Sequence, residues 1–147
     1  LTATHGASIE FARIEADALE WLGRYRVQAV CFDGSHGGLG LVQRLNEATG
    51  VTQIATPQRI MTISPAMREF QAAVGDGRFH YDGDPIATWC FSNIVTSLTV
   101  NELFRMPEKE RPENKIDTAM ATFFALSQAV LEPVKEETTW AFEPFLM

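Results

Sequence analysis

Cysteine is scarce in this chain. Cys31 and Cys90 are the whole complement, and each sits inside an apolar run. A pair so placed builds neither a disulfide framework nor a zinc site, so a reducing compartment is expected. Basic residues are also in the minority, with 12 Lys and Arg against 19 Asp and Glu and a net charge of −7. That balance excludes a simple basic nucleic-acid coat, because nonspecific affinity comes from cations neutralising phosphates. It leaves open binding through metal ions or through a local patch. No apolar run approaches the ~18 residues that would suggest a membrane span. The opening residues, Leu-Thr-Ala-Thr-His-Gly, have no basic stretch followed by an apolar one, so they do not read as a signal peptide. They also lack an initiator Met, and the chain is expected to be a piece of a longer polypeptide. Missing too are a GxxxxGK[ST] phosphate loop, a GxGxxG fingerprint and a GxSxG element, which argues against an ATPase, a dinucleotide site and a serine-triad hydrolase.

What remains is a composition that folds. In 147 residues, 46% are apolar, and ten Phe and three Trp can fill one sizeable core. Behind Ser8, a candidate N-cap, Phe11, Ile14, Ala18, Leu22 and Tyr25 recur at helical spacing and are expected to face inward. Residues 27–32 (Val-Gln-Ala-Val-Cys-Phe) predict a short buried strand, parallel by preference. A glycine-rich loop over 33–38 leads to a helix over 39–48, with Leu41, Val42 and Leu45 inward and Gly50 as its C-cap residue. Residues 51–55 predict a second strand, closed by Pro57.

Ser64-Pro65 predicts the start of a third helix, with Met67, Phe70 and Val74 on its inner face. A short extended piece at 78–81 ends in the turn Asp82-Gly83-Asp84-Pro85. Ile86, Trp89, Asn93 and Ile94 keep helical spacing, and residues 94–100 are β-branched enough to switch to a strand. Residues 106–114 read as an exposed loop. A last helix spans 115–131, with Ile116, Met120, Phe123, Phe124 and Val130 inward, and residues 132–147 read as a tail whose Trp140, Phe142 and Phe145 suit docking. Helices alternating with strands predict an α/β fold, a mainly parallel sheet with helices packed on it. Ligands gather at the C-terminal ends of such strands, which is where Asp33 falls.

Asp33 can cap a turn or ligate a metal at the open end of the sheet. Asp117, in Asn114-Lys-Ile-Asp117, can favour a helix N-terminus behind an Asn114 cap, or reach the same metal. Taken together, two aspartates at element ends suit a hard cation such as Mg²⁺, which takes oxygen ligands and keeps some waters. In phosphodiester hydrolysis two such ions activate water and stabilise the leaving oxygen. His36, in the glycine-rich loop, can touch a ligand but reads better as solvated, His5 and His80 have no partner spacing, and the two cysteines read as core residues.

The order of these features resembles the nuclease domain of the large terminase subunit of tailed bacteriophages with HK97-like packaging. A helix ending in Tyr-Arg-Val precedes a strand ending in Asp33. Gln58 leads to Ser64-Pro65, and Gly-Asp-Pro at 83–85, Trp89 and Asn93 follow. Lys115-Ile116-Asp117 then opens an apolar helix. The resemblance covers roughly residues 1–131. It implies an RNase H-like sheet with flanking helices, its opening strand hairpin upstream of Leu1. It also implies a two-metal endonuclease using Mg²⁺ or Mn²⁺ that cuts double-stranded viral DNA during packaging in the cytoplasm of a bacterial host. By motif, Asp33 and Asp117 are the metal-holding acids. Lys115 is expected near a phosphate, and the spacing of Asn93 and Trp89, which turns one face inward, has them support the site and the core. The family's third acid has no counterpart, which predicts weak metal binding and little cleavage by these residues alone. The implied partners are DNA, the small terminase subunit, the portal and a second copy. The alternatives are a non-catalytic docking or degenerate prophage module and, further off, a resolvase- or transposase-type enzyme.

Overall fold

The computed structural model describes residues 10–34 and 39–131, so the expectations for His5, Ser8, His36 and the tail 132–147 lie outside the described residues. The element order is α1 (Phe11–Arg24), β1 (Ala29–Phe32), α2 (Leu39–Thr49), β2 (Thr52–Ala55), α3 (Ile60–Gly75), α4 (Pro85–Ser92), β3 (Ile94–Val95), β4 (Glu108–Lys109) and α5 (Asp117–Leu131). The fold is mixed α/β, as expected.

The predicted strand pair exists and is parallel, with Ala29 opposite Thr52 and Phe32 opposite Ala55. The single mainly parallel sheet does not. Among the described residues there are two two-stranded sheets, β1–β2 and the antiparallel pair β3–β4. Only two residues of the β-branched run 94–100 enter β3, and β4 lies inside the segment expected to be a loop. β1 is half-buried along its length rather than covered on both faces. The reason is the placement of the helices. α5 packs on β1 and α2 on β2, while α1 packs on α2 instead of on a strand.

That placement also corrects the reading of α1. No α1 residue is buried, and Phe11 is exposed. Tyr25, expected to continue the inner stripe, lies just past the helix in extended backbone and is exposed too. Its ring stacks on Trp21 at 5.4 Å between centroids, with the Arg24 guanidinium over both rings.

α3 begins at Ile60, ahead of the predicted Ser64-Pro65 start. The Arg59 carbonyl accepts the N–H groups of Thr62 and Ile63, which opens the helix there. Ser64 is buried, and its hydroxyl accepts the Phe104 N–H at 2.9 Å instead of capping its own helix. Pro65, near the N-terminus, forfeits only the bond that its N–H would give to Met61, an exposed residue. Replacing Ser64 with Ala strands the Phe104 N–H in a partly buried place. Its expected cost is ~1–3 kcal/mol, read as a lower denaturant midpoint with unchanged slope.

The core lies between α3 and α5, where Ile63, Ala66 and Met67 meet Ala119, Phe123 and Phe124. Ala66 and Ala119 are both 0% exposed, so small side chains let the two helices approach. Phe70 joins this core to α4 by stacking on Phe91 at 5.1 Å. Val74, Trp89 and Val130, read by their spacing as facing inward, are exposed as well. Ala73 and Cys90 are buried next to the first two, a one-residue phase difference in each helix. The Asp82–Pro85 turn forms as read. The Asp84 carboxylate accepts the Ala87 N–H at 2.7 Å, Pro85 opens α4, and Gly83 takes φ +77°. Gly50 ends α2 at φ +69°, its N–H on the Asn46 carbonyl. No helix among the described residues is long and apolar enough to cross a membrane.

Candidate metal centre

Parallel pairing sets the geometry. Because Phe32 lies opposite Ala55, both strands run out at one edge, and the Thr56 N–H carries the ladder one step further onto the Phe32 carbonyl at 2.9 Å. Asp33 therefore leaves β1 beside Thr56. Gln58, just beyond Pro57, reaches across, and its Nε2 donates to Asp33 Oδ2 at 2.6 Å.

α5 brings the second carboxylate to the same edge. It packs on β1 and starts at Asp117, with the Ile116 carbonyl accepting the Met120 N–H. The helix thus opens later than residue 115, and Ile116 rather than Asn114 occupies the position before its first residue. Asp33 and Asp117 line one cavity of about 640 Å³, together with Gln58, Cys31, Met106 and Phe124. The walls from Met106 and Phe124 are apolar, which strengthens the attraction of the carboxylates for a cation over its value in open water. A cavity of about 660 Å³ between α2 and β2 has Glu47 as the one acid among its described lining residues.

The loop ahead of α5 is held from α4. Asn93 is buried, and its Nδ2 donates to the Lys115 carbonyl at 3.0 Å while its own carbonyl accepts the Glu110 N–H. Asn93 thus fixes the chain two residues before Asp117. Lys115 itself is exposed, and its side chain is not part of the cavity lining. Trp89 is on the outside of α4, and His80 is exposed and away from the cavity. Cys31 does line the cavity. Burial pushes its thiol up from the ordinary range, against a smaller pull from the Thr56 hydroxyl, so it stays a protonated neighbour and a poor partner for a hard ion.

The two carboxylates fit a hard divalent cation that keeps several waters. They do not make a cage: among the described residues no group of three or more His, Cys, Asp or Glu is placed to hold a metal. Arg24, Arg44 and Arg78 are tied to carboxylates, whereas Arg105, Lys109, Arg111 and Lys115 have no ion-pair partner among the described residues.

A family model described as "Terminase large subunit, endonuclease domain" matches residues 1–132. The chain belongs to that family. Protein YmfN of Escherichia coli (strain K12) is 35% identical to the terminase domain over 141 residues, which is 94% of this chain and 30% of YmfN. Among solved structures, the HK97 bacteriophage large terminase matches with a TM-score of 0.69 over 84% of this chain and 26% of that one, at 20% identity. That likeness establishes the terminase fold. The chain spans under a third of the length of either relative.

Sequence reasoning named both aspartates of this terminase domain but gave Gln58 no role. The signal for Gln58 was present. Once residues 27–32 and 51–55 are paired in parallel, a residue just past Pro57 must emerge at the edge that carries Asp33.

Proposed function

We propose that this terminase domain hydrolyses phosphodiester bonds of double-stranded viral DNA, with Mg²⁺ or Mn²⁺ held between Asp33 and Asp117 on an RNase H-like sheet. The observation that carries the reading is the shared cavity: two acids far apart in sequence are delivered to one strand edge by different elements. Bound divalent ions would supply an activated water and charge stabilisation at the leaving oxygen. The protein's own part is to hold the carboxylates in place, through Asn93 on the α5 side and the sheet on the Asp33 side. Lys115 and the neighbouring unpaired cations meet the phosphate backbone, offsetting a net acidic chain with a local patch. In the packaging machine the DNA, the small terminase subunit, the portal and further copies of the large subunit are the partners.

With two carboxylates and no third among the described residues, residues 1–147 are expected to bind Mn²⁺ weakly and to nick DNA slowly. The test is calorimetric titration of Mn²⁺ together with plasmid nicking. Both signals should vanish in Asp33→Ala. Nicking that survives Asp33→Ala, or tight Mn²⁺ binding indifferent to it, would remove the reading. A second reading, a docking module that grips DNA or a partner without cutting, is favoured by the absence of a three-acid group among the described residues. It predicts no nicking in Mn²⁺ even by the longest large-subunit chain that carries the domain.

A further inference from the structure

We propose that Gln58 is a positioning residue for the Asp33 carboxylate. The inference rests on the metal-centre reading above and adds a residue to it. Three observations converge on Gln58. The first is its backbone. Pro57 precedes it, the Arg59 N–H donates back to the Pro57 carbonyl at 2.9 Å, and Arg59 is the extended residue from which α3 starts. Gln58 is therefore held in a short, stiff link between β2 and α3. The second is the register, which puts the exits of β1 and β2 at one edge. The third is the side-chain bond, Nε2 to Asp33 Oδ2 at 2.6 Å, made by a residue that also lines the cavity with Asp117.

The chemistry of an amide suits this task. An arginine or lysine at the same place would form an ion pair with Asp33 and compete with a cation for its charge. A neutral N–H donor fixes the orientation of the carboxylate without bringing a competing positive charge of its own. Partners of this kind behind metal-ligating carboxylates typically contribute about 10–100-fold in metal affinity or activity.

The experiment is a Mn²⁺ titration of the 147-residue chain, followed by electron paramagnetic resonance of free Mn²⁺, with thermal melting alongside. Gln58→Leu keeps the bulk and removes the donor. Its Mn²⁺ affinity should fall by about 10–100-fold with an unchanged melting midpoint, because the residue is exposed and no core contact is lost. Gln58→Asn keeps the amide but draws its N–H back from Asp33 by one methylene, and it should bind as weakly as Gln58→Leu. If Gln58→Asn binds Mn²⁺ as the unmodified chain does, the reach to Asp33 is not what matters and the positioning role is overturned. If Gln58→Leu binds as the unmodified chain does while Asp33→Asn loses binding, the role of Gln58 is overturned and the metal centre stands. If Asp33→Asn binds Mn²⁺ unchanged, the centre itself fails, and the proposal for Gln58 fails with it.

Discussion

In the large subunit proposed to carry this domain, replacing Asp117 with Asn is expected to lower DNA cleavage on the order of a thousandfold and barely to change stability. The two numbers come from two different jobs for one carboxylate. As the first residue of α5, Asp117 sits where a negative charge is favoured by the positive end of the helix. Asparagine gives that up at ~0.3–1 kcal/mol, a small shift in melting midpoint, since Asp117 is exposed and the isostere adds no strain. As one of two acids among the described residues that line the cavity, it would supply charge that a cation in the proposed centre needs. Losing it costs several kcal/mol of charge stabilisation in the transition state, and at ~1.4 kcal/mol per factor of ten that is about a thousandfold in rate. A helix-terminus role alone would give the small stability change with cleavage untouched. Plasmid nicking rates and thermal melts on the same preparation therefore separate the two roles. Cleavage within about twofold of the parent would leave only the helix-terminus role.

Local patterns carried much of the fold. Residues 27–32 and 51–55 announce strands by apolar content, and their parallel pairing follows from the helix between them. Gly50 and the Asp84-Pro85 pair mark real helix ends because their signals are backbone preferences that no distant contact needs to supply. The failures are those where a distant partner decides. Ser64-Pro65 looks like a helix start, yet the Ser64 hydroxyl is engaged by Phe104 from another part of the chain. The apolar stripe of α1 looks like a core face, yet α1 lies against α2 and keeps Phe11 in solvent. The site divides in the same way. Asp33 is legible because a carboxylate at the end of an apolar strand is conspicuous. The nearness of Asp117 depends on how α5 lies across β1, and no spacing in the sequence encodes that. Gln58 is legible only after the strand register is known, since it takes two paired strands to bring residues 33 and 58 side by side.

The largest stability effect is expected at Phe123. Its ring is 2% exposed and meets Phe70 edge-on at 5.6 Å between centroids, in the cluster that joins α3 to α5. Phe123→Ala leaves a cavity in close-packed surroundings, and its expected cost is ~3–5 kcal/mol. Against a typical total of ~5–15 kcal/mol, that is a large share of what holds a domain together. The melting midpoint should fall on the order of 10 °C for a chain of this size. Val130, on the same helix and equally apolar by sequence pattern, is 40% exposed, so Val130→Ala should cost well under ~1 kcal/mol. Similar losses from the two substitutions would mean that α5 does not face α3 as described. The consequence reaches the proposed metal centre because α5 carries both residues. Phe123 presses the helix onto α3, and that seating holds Asp117 at the strand edge beside Asp33. Loosening it should weaken Mn²⁺ binding below the new midpoint temperature, before the helix itself melts, although Phe123 is not part of the cavity lining. Mn²⁺ affinity followed against temperature in Phe123→Ala, beside far-ultraviolet circular dichroism of the same sample, checks that order of events.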